Sequence, residues 1–154
     1  MSGIVVSPTT SMIVSSAPTA QVIVTTPLPV PIFRTMQAKV VGDNQDVIVG
    51  DNKFIFAIPT EFDGMNLVDI QAYVTTASTS GTPTVQVRNI TKSNVDMLST
   101  RVTIDEGEFT SYTAAVVRVI NLNTDNVSLG DLISIDVDFA GTGAKGLGVI
   151  LRFS

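Results

Sequence analysis

The 154-residue chain contains no histidine, no cysteine and no tryptophan. Without histidine, the usual general base, every Ser-His-Asp or Cys-His arrangement and the commonest transition-metal ligand are missing. Without cysteine there are no disulfides and no thiol chemistry, and nothing marks a redox compartment. Charge is scarce as well: 15% of residues are charged and the formal net charge is −5. The nine basic residues are scattered from Arg34 to Arg152, whereas nucleic-acid binders gather Lys and Arg on one face, so nucleic acid is not expected as a partner. Long apolar runs are also lacking. The first 33 residues carry no charged side chain, yet Ser, Thr and Pro interrupt them every few positions. They match neither a signal peptide, with its basic start and continuous apolar stretch, nor a membrane span of about 20 apolar residues.

Among the residues present, Thr, Ser, Val and Ile are conspicuous, and 44% of the chain is hydrophobic. This composition favours strands. The length is that of one domain, which on folding buries roughly 70% of the surface an unfolded chain exposes. A core is therefore attainable without metal or disulfide.

The uncharged amino-terminal stretch has a loose repeat. Ile4-Val5-Val6, Met12-Ile13-Val14 and Val22-Ile23-Val24 are each followed by Ser or Thr and then by Pro8, Pro18 or Pro27. Short extended segments broken by proline fit this pattern. Such a segment closes no core of its own but is too apolar for an ordinary disordered tail. We expect residues 1–36 to form an extended arm whose apolar triplets contact a neighbouring subunit or a larger assembly by adding strands. The alternative is a first strand with a frayed end belonging to the same domain.

From residue 37 the pattern becomes period-two alternation with turn residues at short spacing, the signature of a sandwich or barrel. Phe54, Phe56 and Ile58 alternate. In residues 67–74, Val68, Ile70, Ala72 and Val74 are expected to face the core, with Asp69, Gln71 and Tyr73 outward. The next strand, with Val85 and Val87 inward, is expected to form a hairpin with it across Ser78, Thr79, Ser80, Gly81 and Thr82. Further strands are predicted at 37–41, 47–49, 96–99, 101–104, 114–120, 132–139 and 147–153, with a short turn near 59–62. Ile133, Ile135, Val137 and Phe139 make one apolar face, and Leu147, Val149, Leu151 and Phe153 another. The reading is an all-β chain: a jelly-roll-type β-sandwich of about eight antiparallel strands over residues 37–154, preceded by the extended arm.

The candidate chemistry is thin. A carboxylate pair can act as acid and base in a glycosidase, but Asp136 and Asp138 sit two apart on one strand and read as a solvated outer face. Asp131, Asp136 and Asp138, or Asp43, Asp46 and Asp51, offer oxygens to calcium without following the DxDxDG loop pattern. Residues 105–108, Asp-Glu-Gly-Glu, read as an acidic connection. Tyr73 and Tyr112 alone make a weak case for sugar stacking. Asn89-Ile90-Thr91 and Asn126-Val127-Ser128 match the glycosylation acceptor by chance. GTGAKG, residues 141–146, has the GxGxxG spacing, but a dinucleotide turn needs a helix after it and an acidic residue roughly 20 positions on. Only a strand follows, so these glycines join the last two strands, with Lys145 in water. No cofactor, metal or catalytic residue is expected.

Three runs carry a family resemblance: IPTEFDGMNLVDIQAYVTTASTSGTPTVQVRNIT (58–91), DMLSTRVTIDEGEFTS (96–111) and GDLISIDVDFAGTGAKGLGVILRF (130–153). They resemble a domain recurrent in virion proteins of tailed bacteriophages, in head decoration (cement) proteins and in the head domains of fibres. TASTSGTPTVQV and IDVDFAGTGAKGLGV are the most specific parts. The resemblance spans about 100 residues, 54–153, and leaves the arm uncovered. It implies a jelly-roll domain that assembles as a homotrimer on the outer surface of the capsid, with the major capsid protein as partner, no membrane, and no catalytic residues to transfer. The chain lacks a fibre shaft, which favours decoration. The alternative is a fibre or receptor-binding head that recognises a glycan through exposed loops, residues Ser78, Thr79, Ser80 and Thr82 among them.

Overall fold

A computed structural model describes the backbone of residues 9–15 and 21–154, and the side chains from Thr26 onward. The chain divides into two compact units, Met1–Ile32 and Phe33–Ser154. In the first, β1 (Thr9–Ser15) and β2 (Gln21–Pro27) pair antiparallel, with Met12 opposite Val24, Ile13 opposite Ile23 and Val14 opposite Val22. The two apolar triplets thus pair with each other.

The second unit is an all-β sandwich. It contains β3 (Arg34–Lys39), β4 (Gly50–Ala57), β5 (Leu67–Tyr73), β6 (Thr84–Asn89), β7 (Val95–Asp96), β8 (Leu98–Thr100), β9 (Val102–Thr103), β10 (Val119–Ile120), β11 (Leu132–Phe139) and β12 (Gly148–Phe153). One sheet runs β4-β11-β6-β7, with β9 also on β6; the other runs β3-β12-β5, and β8 pairs with β10. All these pairings are antiparallel. This is jelly-roll order, in which the chain changes sheet at nearly every long connection. The sandwich starts ahead of residue 37 because Arg34, Thr35 and Met36 already pair with Phe153, Arg152 and Leu151.

The core follows from the alternation. Ile133, Ile135 and Val137 on β11 and Val85 and Val87 on β6 face Ile70, Ala72, Val149, Leu151 and Phe153 of the other sheet, all essentially fully buried. Each large member contributes about 1.5–3 kcal/mol of burial. Phe62, from the predicted turn at Thr60–Phe62, meets Phe153 edge to face at 5.2 Å.

The sequence-based expectations fail at connections and irregular pairings. Neither β5 to β6 nor β11 to β12 is a hairpin, since each connection crosses from one sheet to the other. Alternation reports which side chains face the core, and an arch between sheets keeps that facing just as a hairpin does. The two arches lie against each other: Thr79 N–H donates to Thr142 O (2.9 Å) and Thr75 N–H to Lys145 O (2.8 Å). The β3–β4 connection closes on them, with Val47 N–H donating to Ala144 O and Val40 and Val41 N–H both to Leu147 O, each at 2.9 Å. In β5 a register shift opposite Arg152 and Phe153 turns Leu67 inward and leaves Val68 exposed. Gln71, expected outside, is buried against Ser111, whose hydroxyl accepts the Ala72 N–H at 2.8 Å. A shift between Val137 and Phe139 carries Phe139 out of the core. Of the strand predicted at 114–120, only Val119–Ile120 forms.

Gly143 and Gly146 share left-handed backbone, φ 74° and 67°, but a methyl at Gly143 meets nothing, whereas one at Gly146 lies 2.0 Å from Thr75 Oγ1 and 2.9 Å from the Asp43 carbonyl. Gly143→Ala is therefore expected to cost about 1 kcal/mol of conformational strain, and Gly146→Ala about 2 kcal/mol more through overpacking. Urea unfolding of the two variants side by side checks the difference.

Candidate partner-binding surfaces

The predicted site residues separate into groups. Ile4, Val5 and Val6 lie outside the described residues. Met12, Ile13 and Val14 stand on β1 and Val22, Ile23 and Val24 on β2, joined to each other by strand pairing. In the first arch, Ser78 is buried and its hydroxyl donates to Gly81 O at 2.6 Å. Thr79 Oγ1 donates to Thr142 O at 3.3 Å, and Ser80 Oγ to Thr142 Oγ1 at 2.8 Å. Thr82 offers its carbonyl to Thr84 Oγ1 at 2.9 Å. These hydroxyls mainly tie one arch to the other.

The carboxylates on and beside β11 are committed internally too. Asp136 does not stand on a solvated face: it is 2% exposed. Its Oδ2 takes the Arg88 guanidinium, while Oδ1 accepts from Asn52 N–H and Ser134 Oγ, both at 2.6 Å. The hydrogen bond from Arg88 to Asp136, with the charges of Asp136, Asp51 and Asp96, raises the Arg88 pKa further above its ordinary value against the cost of burial. Asp138 pairs separately with Arg101. Sequence reading missed this because Arg88 reaches from β6 across β11, and alternation assigns such a position to solvent whatever long side chain covers it.

Asp131 sits at the opposite end of β11 and is buried. Asn89 Nδ2 and Ser128 N–H each donate to its Oδ2 at 2.9 Å, and Lys92 Nζ lies 3.4 Å away. Burial pushes its pKa up, but these donors and the lysine charge together hold it below the ordinary 3.8. Asn89 is itself fully buried, which removes it as a glycosylation acceptor. Among the described residues no three acidic side chains gather in a way that holds a metal.

What the sandwich leaves uncommitted is its two lateral sides. On one side stand the edges of β3 and β4, each paired on one side only, with Ile48, Val49 and Ile55 exposed. A groove of about 480 Å³ lies beside them, lined by Val40, Val41, Asn44, Gln45, Asp46, Ile48 and Lys53. On the other side the free edge of β5 is covered by an irregular segment: Val74 N–H donates to Phe109 O at 2.8 Å, Tyr73 bridges Thr110, and Arg118 pairs with Asp69 at 2.5 Å. That segment leaves Phe109, Tyr112, Val116, Val117 and Val119 exposed. A signal for it stood in the sequence: Ala114-Ala115-Val116-Val117 does not alternate, so it cannot bury one face of a strand.

Comparison of the chain with protein-family models, with characterised proteins and with solved structures returns no match.

Two outcomes follow from the buried carboxylates. Because Asp131 has a lowered pKa in the folded state, its contribution is present above the unfolded value and is lost as pH falls through the folded one. The unfolding temperature is expected to fall as pH drops below the ordinary 3.8, and less steeply in Asp131→Asn. Arg88→Met strands Asp136 as a buried unpaired charge and is expected to cost about 3–5 kcal/mol at neutral pH. Replacing Arg88 and Asp136 together by apolar residues recovers most of this loss in chemical denaturation.

Proposed function

We propose that the chain is a structural virion protein of a tailed bacteriophage: a decoration protein that binds the outside of the major capsid lattice, stabilises the head, and associates with copies of itself. The observation that carries this reading is the hairpin of β1 and β2. An isolated two-stranded hairpin is at best marginally stable in water, and the first 33 residues, which include both strands, carry no charge to keep their edges solvated. The stable place for such an element is against another protein surface, where its free edges continue a sheet. The sandwich supports the same reading, because its polar groups are spent on its own rigidity while both lateral sides expose large apolar residues. Added buried area between capsomers is then the whole mechanism: each copy stabilises the shell by the free energy of its own docking.

A variant lacking residues 1–32 is expected to fold, since the sandwich is a separate compact unit, and to lose binding to heads stripped of this protein. Cosedimentation with such heads measures this, and unchanged affinity of the shortened chain overturns the role of the arm. Binding of the full protein to host cells or to a glycan array, with no affinity for heads, assigns it to a fibre instead.

A further inference from the structure

We infer that residues 28–32, Leu-Pro-Val-Pro-Ile, form a docking strand with one usable edge, which adds to an open sheet edge of the major capsid protein. The inference rests on the capsid reading above and names the backbone that makes the contact. Pro27, Pro29 and Pro31 each fix their own φ and hold the residue before them in extended backbone. The segment is thus prepared as a strand, yet it is unpaired. β2 ends at Pro27 and β3 begins at Arg34, and among the described residues the backbone of 28–32 makes no hydrogen bond. β12, which pairs with β3, does not run on beside it, because Phe153 stands opposite Arg34 and Ser154 bonds to Asn66.

The spacing of the prolines decides which edge is usable. In a paired strand the N–H and C=O of one residue point to one edge and those of the next residue to the other. Prolines at every second position therefore strip the donors from a single edge. The opposite edge stays complete, with both the N–H and the C=O of Leu28, Val30 and Ile32. The same alternation puts these three side chains on one face, and all three are exposed, Val30 at 82%. One edge pairs and one apolar face packs, which is what strand addition requires. A sheet accepts proline where the missing N–H faces away from the pairing. Once docked, the segment becomes the new edge of the partner's sheet, and its proline side stops a further strand from adding.

Charge selects the owner of the partner edge. The open edges of this sandwich are β3, which carries Arg34 and Lys39, and β4, which carries Asp51 and Lys53. The docking segment lies within the first 33 residues, which carry no charge. Laying it along β3 or β4 of another copy desolvates charges that it cannot pair. The edge that fits is uncharged and belongs to a different protein, and the capsid reading supplies that protein.

The test uses full-length chains and cosedimentation with heads stripped of this protein. Val30→Pro removes the central donor of the pairing edge, leaves the strands of the hairpin and the sandwich unchanged in sequence, and is expected to weaken binding about tenfold or more. Val30→Ala keeps that donor and is expected to weaken it less. Pro29→Val with Pro31→Val restores two donors on the opposite edge. This double variant is expected to bind heads within about twofold of the natural chain and to grow in light scattering as its concentration rises, since both edges now pair. Unchanged head binding by Val30→Pro overturns the inference, as does an equal loss in Val30→Ala. A loss in the double variant as large as that in Val30→Pro also overturns it, because the partner then reads proline rather than a strand edge. If Val30→Pro lowers the mass of the free protein in light scattering and leaves head binding intact, the segment pairs with a second copy and the inference falls. A natural chain with no affinity for heads overturns the capsid reading itself, an outcome distinct from all of these.

Discussion

β11 is the strand on which the sandwich hangs, because it is buried on both faces by opposite means. Its inner row, Ile133, Ile135 and Val137, fills the core, and its outer row, Ser134 and Asp136, is closed by the Arg88 guanidinium. Main-chain pairing to β4 on one side and β6 on the other holds it in register. A buried carboxylate is tolerated only because its oxygens are filled by Asn52, Ser134 and Arg88. Those partners come from β4, β11 and β6, so the ion pair also records that three strands are correctly aligned.

From that constraint the rest of the polar inventory follows. The acidic residues that looked available for acid–base or metal chemistry are used to fasten strands and connections: Asp131 to Asn89 and Lys92, Asp138 to Arg101, Asp69 to Arg118. The hydroxyls of the first arch fasten it to the second. The chain has no histidine or cysteine to add to these groups, while large apolar residues stay exposed on both lateral sides of the sandwich.

The same accounting gives the two lateral sides their character. Where cation and carboxylate meet inside the sandwich they cancel; among the described residues this leaves Arg34 and Lys53 on the edges β3 and β4, and carboxylates spread over several connections, Asp105, Glu106 and Glu108 among them. Natural sheets guard open edges with charge or cover them. Here the edges of β3 and β4 carry Arg34 and Lys53, and the edge of β5 is covered by the segment that ends in Arg118.

The sequence by itself determined the all-β class, the inward rows of β11 and β12, the turn at Thr60–Phe62 and the uncharged stretch at the amino end, because alternation and composition are local properties of the chain. It also determined that GTGAKG opens no helix, since only a strand follows. Tertiary structure alone decided that the two glycine-bearing connections are arches rather than hairpins, that Gln71 and Asp136 are buried, and that Val68 and Phe139 are not. The reason is the same in each case. Period two reports which side of a strand is apolar, but which sheet a strand joins, where its register slips and what long side chain crosses its outer face are set by residues distant in sequence.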